Sequence, residues 1–228
     1  MKRRELVEKI SRLIRQTENP YPTRVAIDGI DNAGKTTLAA ELGHELQKKN
    51  RPIIHASIDS FHRTRKERYR RGTLSPDGYF NDSFDLDVLK EKLLKPLGPA
   101  GDLRYTKAVF DFRTDLPLPR KLQKAKHNAI LLFDGVFLLR PELNAFWNLR
   151  IFVQVSFETA LRRALLRDMN LFGSVEETKR RYLERYIPGQ KMYFQKVNPM
   201  HKADIVIDNN DPDNPLLLKG DRHALLHF

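Results

Sequence analysis

The sequence predicts an α/β fold, a parallel β-sheet with helices on both faces and a small lid insertion. Three observations predict it. The strand-like runs are continuously apolar, as in sheets buried on both faces, rather than alternating. Segments of helical period separate them. The chain has 228 residues, 40% of them hydrophobic, which suits one domain with a sizeable core.

In chain order, Leu6, Ile10, Leu13 and Ile14 recur at helical spacing, so residues 1–22 read as an N-terminal amphipathic helix packed on the domain. "TRVAID" (Thr23 to Asp28) is a first strand, and "KTTLAAELGHELQKK" the helix after it. "PIIHASID" (Pro52 to Asp59) is a second strand, followed by a polar, basic segment to Asp85 and the helix "LDVLKEKLL". "YTKAVFDF" (Tyr105 to Phe112) reads as a hairpin strand, with "RTDLPLP" turning away. "AILLFDG" (Ala129 to Gly135) is a buried strand, "PELNAFW" a short helix and "LRIFVQVS" (Leu149 to Ser156) another strand. "ETALRRALLRDM" and "SVEETKRRYLERY" are helices, with a Pro-Gly break expected in "RRYLERYIPGQKMYF" (Arg180 to Phe194). "ADIVIDN" (Ala203 to Asn209) is a last strand, which ends the main domain, residues 23–210. Residues 211–228 form a C-terminal tail with an apolar end expected to dock.

Composition narrows the function classes. There is no cysteine, so disulfides and thiolate metal sites are excluded, which fits a cytoplasmic protein. The longest apolar run, "AILLFDGVFLL", has eleven residues, short of the roughly 18 to 20 that a membrane span needs. The basic N-terminus has no apolar signal core, and Glu5 and Glu8 argue against a transit peptide. A net charge of +12 and an isoelectric point of about 9.9 favour an anionic ligand, although a solvated basic surface would give the same numbers.

Gly29 to Thr36 reads G-I-D-N-A-G-K-T, a full match to G-x-x-x-x-G-K-[ST] between a strand and a helix. Glycines let successive backbone N–H groups turn inward onto phosphate oxygens, and the following helix adds the positive end of its dipole. Lys35 can reach the β- and γ-phosphates, and the Thr36 hydroxyl can ligate Mg²⁺. Asp31, Asn32, Ala33, Gly34 and Thr37 complete the expected contact set for ATP. The fold is thus of P-loop NTPase type, its insertion serving as lid and acceptor-binding element. Asp134 ends a buried strand, where an acid holds the metal; an Asp-Gly turn is the alternative. Asp59 follows the second strand, on the side where the carboxyl ends of parallel strands form a ligand crevice. A carboxylate there can accept the proton of an attacking hydroxyl. Its alternative is a strand-end or capping role.

"GIDNAGKTT", "IDSFHR", "LLFDGVFLL", "LRRALLRD" and "ADIVID" occur in the order and spacing of the uridine kinase and phosphoribulokinase superfamily, from Thr23 to Asn209. The resemblance implies an ATP-dependent kinase acting on a sugar or nucleoside hydroxyl. Asp59 matches the catalytic base, Asp134 the metal-side acid, and Arg167 the arginine before the lid-proximal Asp. Arg163 lies four residues earlier on the same helical face, able to reach the transferring phosphoryl group or to pair with Glu158 or Asp168.

The sequence most resembles the uridine kinase-like branch, with departures at the acceptor site. Where that branch carries Tyr and His in a "YDF..H" hairpin, this chain has "FDFRTD", placing Phe110 and Asp115 at those positions. "GYFNDSFD" (Gly78 to Asp85), with Tyr79, replaces "FDHPDAFD". A polar pocket that loses a partner changes selectivity by about 10⁴-fold, so uridine itself is in question while kinase chemistry is not. "DSFHR" is closer to the phosphoribulokinase loop, and His62 and Arg63 could contact a sugar phosphate, but the chain lacks that family's "HPEAND" pattern. The run Arg63 to Arg71 holds six Arg or Lys in nine residues, either a clamp for a phosphorylated acceptor or a solvated face. The phosphate loop is also similar to that of thymidylate kinases, whose second-strand "DR-Y/H" signature is missing. Arg185, Tyr186 and Gln190 correspond to an acceptor-pocket region of the family, core packing being the alternative. A nucleic-acid-binding protein is the rival class, but aromatics are not interleaved through the basic run. Self-association is left open.

Overall fold

The computed structural model describes residues 1–48 and 50–220. Five parallel strands form the sheet: β1 (Thr23–Gly29), β2 (Ile53–Ser57), β3 (Ile130–Gly135), β4 (Leu149–Gln154) and β5 (Ile205–Asp208). A sixth, β6 (Leu216–Lys219), lies in the segment expected as a tail and pairs antiparallel with β5. The spatial order is β6-β5-β4-β1-β3-β2. Every residue of β1 and β3 is buried, because these central strands are covered on both faces. Residues 221–228, including the apolar end expected to dock, lie outside the described residues.

The helix over Arg3–Gln16 (α1) presents Leu6, Ile10, Leu13 and Ile14 to the helix Lys35–Gln47 (α2), whose Leu38, Leu42 and Leu46 face the same apolar cluster. Arg3 fixes this packing, donating to Glu41 Oε2 at 2.9 and 2.6 Å and to Asn209 Oδ1 at 2.8 Å. Phe61, Phe133, Phe137, Trp147 and Tyr193 fill the opposite face of the sheet.

Two expectations are corrected. Residues 105–112 do not form one strand: Arg104–Tyr105 pairs with Gln123–Lys124, and Phe110–Asp111 pairs with Leu116–Pro117. The Pro-Gly pair causes no helix break. Helix Val175–Arg181 continues through a turn in which Ile187 N–H donates to Tyr182 O, then into helix Ile187–Val197. A π-turn shifts the bonding by one residue just ahead of Pro188, where the missing N–H would otherwise interrupt it.

The turn after β2 rests against the end of β3. A Cβ on Gly135 would lie 2.4 Å from Ile58 Cγ2 and 2.7 Å from Ile58 Cβ, whereas one on Gly43 would meet side chains only at 3.7 Å. Gly135→Ala should therefore cost about 1–3 kcal/mol by overpacking. Gly43→Ala, within α2, should be neutral or stabilising by up to about 1 kcal/mol. Urea denaturation of both variants checks the contrast.

Candidate active site

The phosphate loop leaves β1 at Gly29 and enters α2 at Lys35. Asn32 and Gly34 adopt left-handed φ values of 58° and 91°. Only glycine suits position 34, since an added Cβ would lie 2.6 Å from Asn209 Nδ2. That amide donates to Ala33 O at 2.7 Å, so Asn209 joins the loop to α1 through Arg3. Asn32 donates to the Tyr182 hydroxyl at 2.7 Å, which donates onward to Asp168 at 2.6 Å. Thr36 and Thr37 are exposed at the start of α2. Lys35 is buried, its Nζ on Ile30 O at 2.7 Å.

Thr36 Oγ1 donates to Asp134 Oδ2 at 2.7 Å, and His55 Nε2 lies 3.9 Å from Asp134 Oδ1. This hydroxyl and carboxylate are hard oxygen donors suited to Mg²⁺, which binds a few protein oxygens and completes its shell with water and phosphate. No cage of three or more His, Cys, Asp or Glu occurs among the described residues. The residues present thus fit a metal carried in with a nucleotide.

Beyond the loop lies a cleft of about 510 Å³ lined by Asp31, Asp59, His62, Tyr79, Phe112, Arg167 and Tyr186, among others. Asp59 is water-accessible, but the surrounding walls thin its hydration and raise its carboxyl above the usual range, opposed by Lys35, Arg167 and Arg113. Asp31 and Asp134 are raised by burial as well, each opposed by Lys35 among other groups. Tyr79 Oη and Gln190 Nε2 donate to Asp31 Oδ2 at 2.8 and 2.6 Å. Arg167 pairs with Asp168 at 2.7 Å; Asp168 is held below the usual range although burial opposes this. His62 packs between Phe84 and Phe112, centroids 4.5 and 5.0 Å away, and burial lowers its pKa to about 4.

Several expected contacts fall elsewhere. Arg163 is turned away from the cleft, donating to Asn32 O, Asn209 O and Asn210 O at 3.2, 2.8 and 3.1 Å. It braces the loop from behind. Arg63 donates to Phe84 O at 3.2 Å and is not among the cleft-lining residues. Phe110 is buried by its hairpin pairing, and Phe112, two residues on, lines the cleft in its place. Asp115 accepts from Arg68 at 3.1 Å and from Arg65 N at 2.7 Å, one step behind the surface. Arg185, 2% exposed, is spent on Ser75 O and Arg68 O. Gln190, also buried, acts through Asp31.

Asp28 is a buried carboxylate that motif reading passed over. It accepts from Tyr193 Oη and from Gly29 N, the latter at 2.8 Å. Its only sequence signal is an acid inside an apolar strand, immediately before the loop. Arg68, Arg113, Arg181, Tyr182 and Asp168 also line the cleft. They come from four separate segments, which no local pattern links.

A family model described as "Phosphoribulokinase / Uridine kinase family" matches residues 25–214. The chain belongs to this family. Within its reach, a uridine kinase from Clostridium botulinum is 26% identical over 195 residues, covering 82% of this chain and 87% of that one. A uridine kinase from Lactobacillus johnsonii is 26% identical over 194 residues, covering 83% and 88%. The solved structure of a possible uridine kinase from Bacillus stearothermophilus has the same fold, with a TM-score of 0.71 at 20% identity, covering 89% of this chain and 97% of that one. No helix among the described residues is long and apolar enough to cross a membrane.

Burial raises the Asp28 carboxyl to about 6, outweighing Tyr193, Gly29 and Lys35. A folded-state pKa above the unfolded value makes protonation favour folding, so this contribution is complete below about pH 4 and lost as pH rises through about 6. From pH 4.5 to 7, wild type should lose about 2 kcal/mol relative to Asp28→Asn. Urea titrations at the two pH values check it; parallel stabilities would contradict the assignment.

Proposed function

We propose that this chain transfers the γ-phosphate of ATP to a hydroxyl of a nucleoside-like small molecule, as the names of its uridine kinase relatives suggest. The observation that carries the reading is the shared field of one cleft. Asp59 faces it within electrostatic reach of Lys35 and Arg167, and Asp31 of the phosphate loop lines the same space. A carboxylate there has a second use besides binding nucleotide, since a triphosphate alone would favour cations only.

In the proposed reaction the acceptor hydroxyl attacks the γ-phosphorus while its proton passes to an Asp59 carboxylate oxygen. The bond from the γ-phosphorus to the β–γ bridging oxygen breaks, and ADP leaves with that electron pair. Desolvation makes Asp59 more basic, an effect that Lys35 and Arg167 oppose by favouring the carboxylate. The same two cations offset charge on the transferring group. Thr36 and Asp134 would hold Mg²⁺, which when bound neutralises charge on the phosphate oxygens. Phe84, His62 and Phe112 present aromatic faces on the acceptor side, suited to a base or a sugar's apolar face.

The nucleic-acid alternative is weakened by how the basic run is used. Arg70 and Arg71 pair with Asp82 at 2.6 and 2.7 Å, and Arg68 pairs with Asp115. Such engaged cations are poor candidates for tracking a phosphate backbone.

Asp59→Asn should leave affinity for a non-hydrolysable ATP analogue nearly unchanged and lower phosphoryl transfer by about 10²- to 10⁴-fold. Lys35→Ala should weaken both. A screen of nucleosides and ribose derivatives by ATP consumption supplies the assay, and undiminished turnover by Asp59→Asn would remove the base from the scheme.

A further inference from the structure

At the edge of the sheet opposite the phosphate loop lies a second cavity, of about 720 Å³, a size usual for small-molecule sites. Arg24, the second residue of β1, contributes to its lining, together with Tyr21 and with Asn148, which precedes β4. Arg24 and Gly29 stand at opposite ends of β1, roughly 17 Å apart at the usual rise per residue. This cavity and the cleft that holds Asp59 share no lining residue.

Arg24 is 4% exposed, yet it forms no ion pair among the described residues. The groups that meet it are uncharged. Its Nε donates to Asn148 Oδ1 at 3.4 Å and its NH1 to Leu94 O at 3.2 Å, and its guanidinium carbon lies 5.3 Å from the centroid of the Tyr21 ring. Loss of water lowers its pKa, opposed by Tyr21. A buried charge is costly unless it is paired, so this arginine is short of a counter-ion. The other cation of the lining, Lys95, is paired with Glu91, and Asp102 accepts from Arg104 N at 2.9 Å. Pro96, Pro99, Ala145 and Phe146 make the rest of the wall largely apolar. That wall is preformed: Gly98 N donates to Lys95 O, Gly101 N to Gly98 O and Leu103 N to Pro96 O, at 2.9, 3.1 and 3.1 Å, which closes residues 96–103 into a series of turns.

We propose that this cavity is a second ligand site, which takes a small monocarboxylate with an apolar body, its carboxylate paired with Arg24 and its body against Pro96, Pro99 and Phe146. A guanidinium matches the fork of a carboxylate in geometry as well as charge. The charges of the lining select the class. Glu91 and Asp102 repel a second negative charge, so one oxyanion on an apolar body fits better than a dianionic phosphate ester or a polyphosphate. The ligand supplies the counter-ion that Arg24 lacks, and its body covers apolar wall that is otherwise open to water. The site lies outside the kinase machinery and stands apart from the reading given above.

Trp147, the only tryptophan of the chain, lies between the lining residues Phe146 and Asn148, so its fluorescence reports on the site. The protein is titrated with cyclohexanecarboxylate, cyclohexanecarboxamide and cyclohexyl phosphate, with and without saturating Mg²⁺ and a non-hydrolysable ATP analogue. The carboxylate should bind at least about tenfold more tightly than the neutral amide or the phosphate ester, whether or not the analogue is present. Arg24→Lys keeps the charge but loses the fork, and should weaken the carboxylate about tenfold. Ala145→Glu, at an exposed position of the lining where folding is not at stake, adds a negative charge to the wall and should weaken it at least as much, with affinity for the ATP analogue unchanged. Equal affinity for acid and amide would overturn the proposal, as would a preference for the phosphate ester. Carboxylate binding that survives Ala145→Glu, or that the ATP analogue displaces, would overturn it too, because the anion would then sit elsewhere.

Discussion

The site depends first on the register of the parallel sheet. Ile27 sits opposite Asp134 and Ser57 opposite the same residue on the other side of β3, while Gly29 sits opposite Val153. That alignment brings the phosphate loop, the Asp134 carboxylate and the Ile58–Phe61 turn out at one level. A slip of one residue would exchange the buried faces of a strand, and β1 and β3 are buried along their whole length. Packing of these strands sets the level of the phosphate loop, Asp134 and Asp59, and hydrogen bonds with Asn209, Arg163 and Tyr182 hold the loop itself in place.

On this frame the polar groups are crowded to the point of conflict. Asp28, Asp31, Asp59 and Asp134 are all raised in pKa by loss of water, and Lys35 opposes the shift at each of them. Four carboxylates sharing one lysine is an arrangement that favours further cations. The Thr36 hydroxyl and the Asp134 carboxylate, 2.7 Å apart, are oxygen donors that would suit such a cation.

Much of this was legible in the sequence, for reasons that differ by element. The strands ending at Asp28, Ser57 and Gly135 announced themselves by continuous apolar character, and the loop between Gly29 and Thr36 by its spacing. Both are local patterns. The hairpin region was misjudged because Phe110 and Phe112 look equivalent in sequence, and only the pairing of Phe110 with Pro117 buries one and frees the other. Arg163 and Arg167 likewise share a helical face, yet carbonyls of the loop and of Asn209 capture the first. The continuous helix through Pro188 was hidden because a π-turn absorbs a break that proline chemistry alone would require. Asp28 carried no motif, and its importance lies in Tyr193, far away in the chain.

The central claim is spatial, that the Asp59 carboxylate looks across the cleft at the terminal phosphate of a nucleotide held by the loop. A crystal structure with Mg²⁺ and a non-hydrolysable ATP analogue tests it most directly. The account predicts γ-phosphate density beside Lys35 and Arg167, with Asp59 on its acceptor side and room for a hydroxyl between them. A γ-phosphate directed away from the cleft, or Asp59 turned out of it with that space closed, would contradict it.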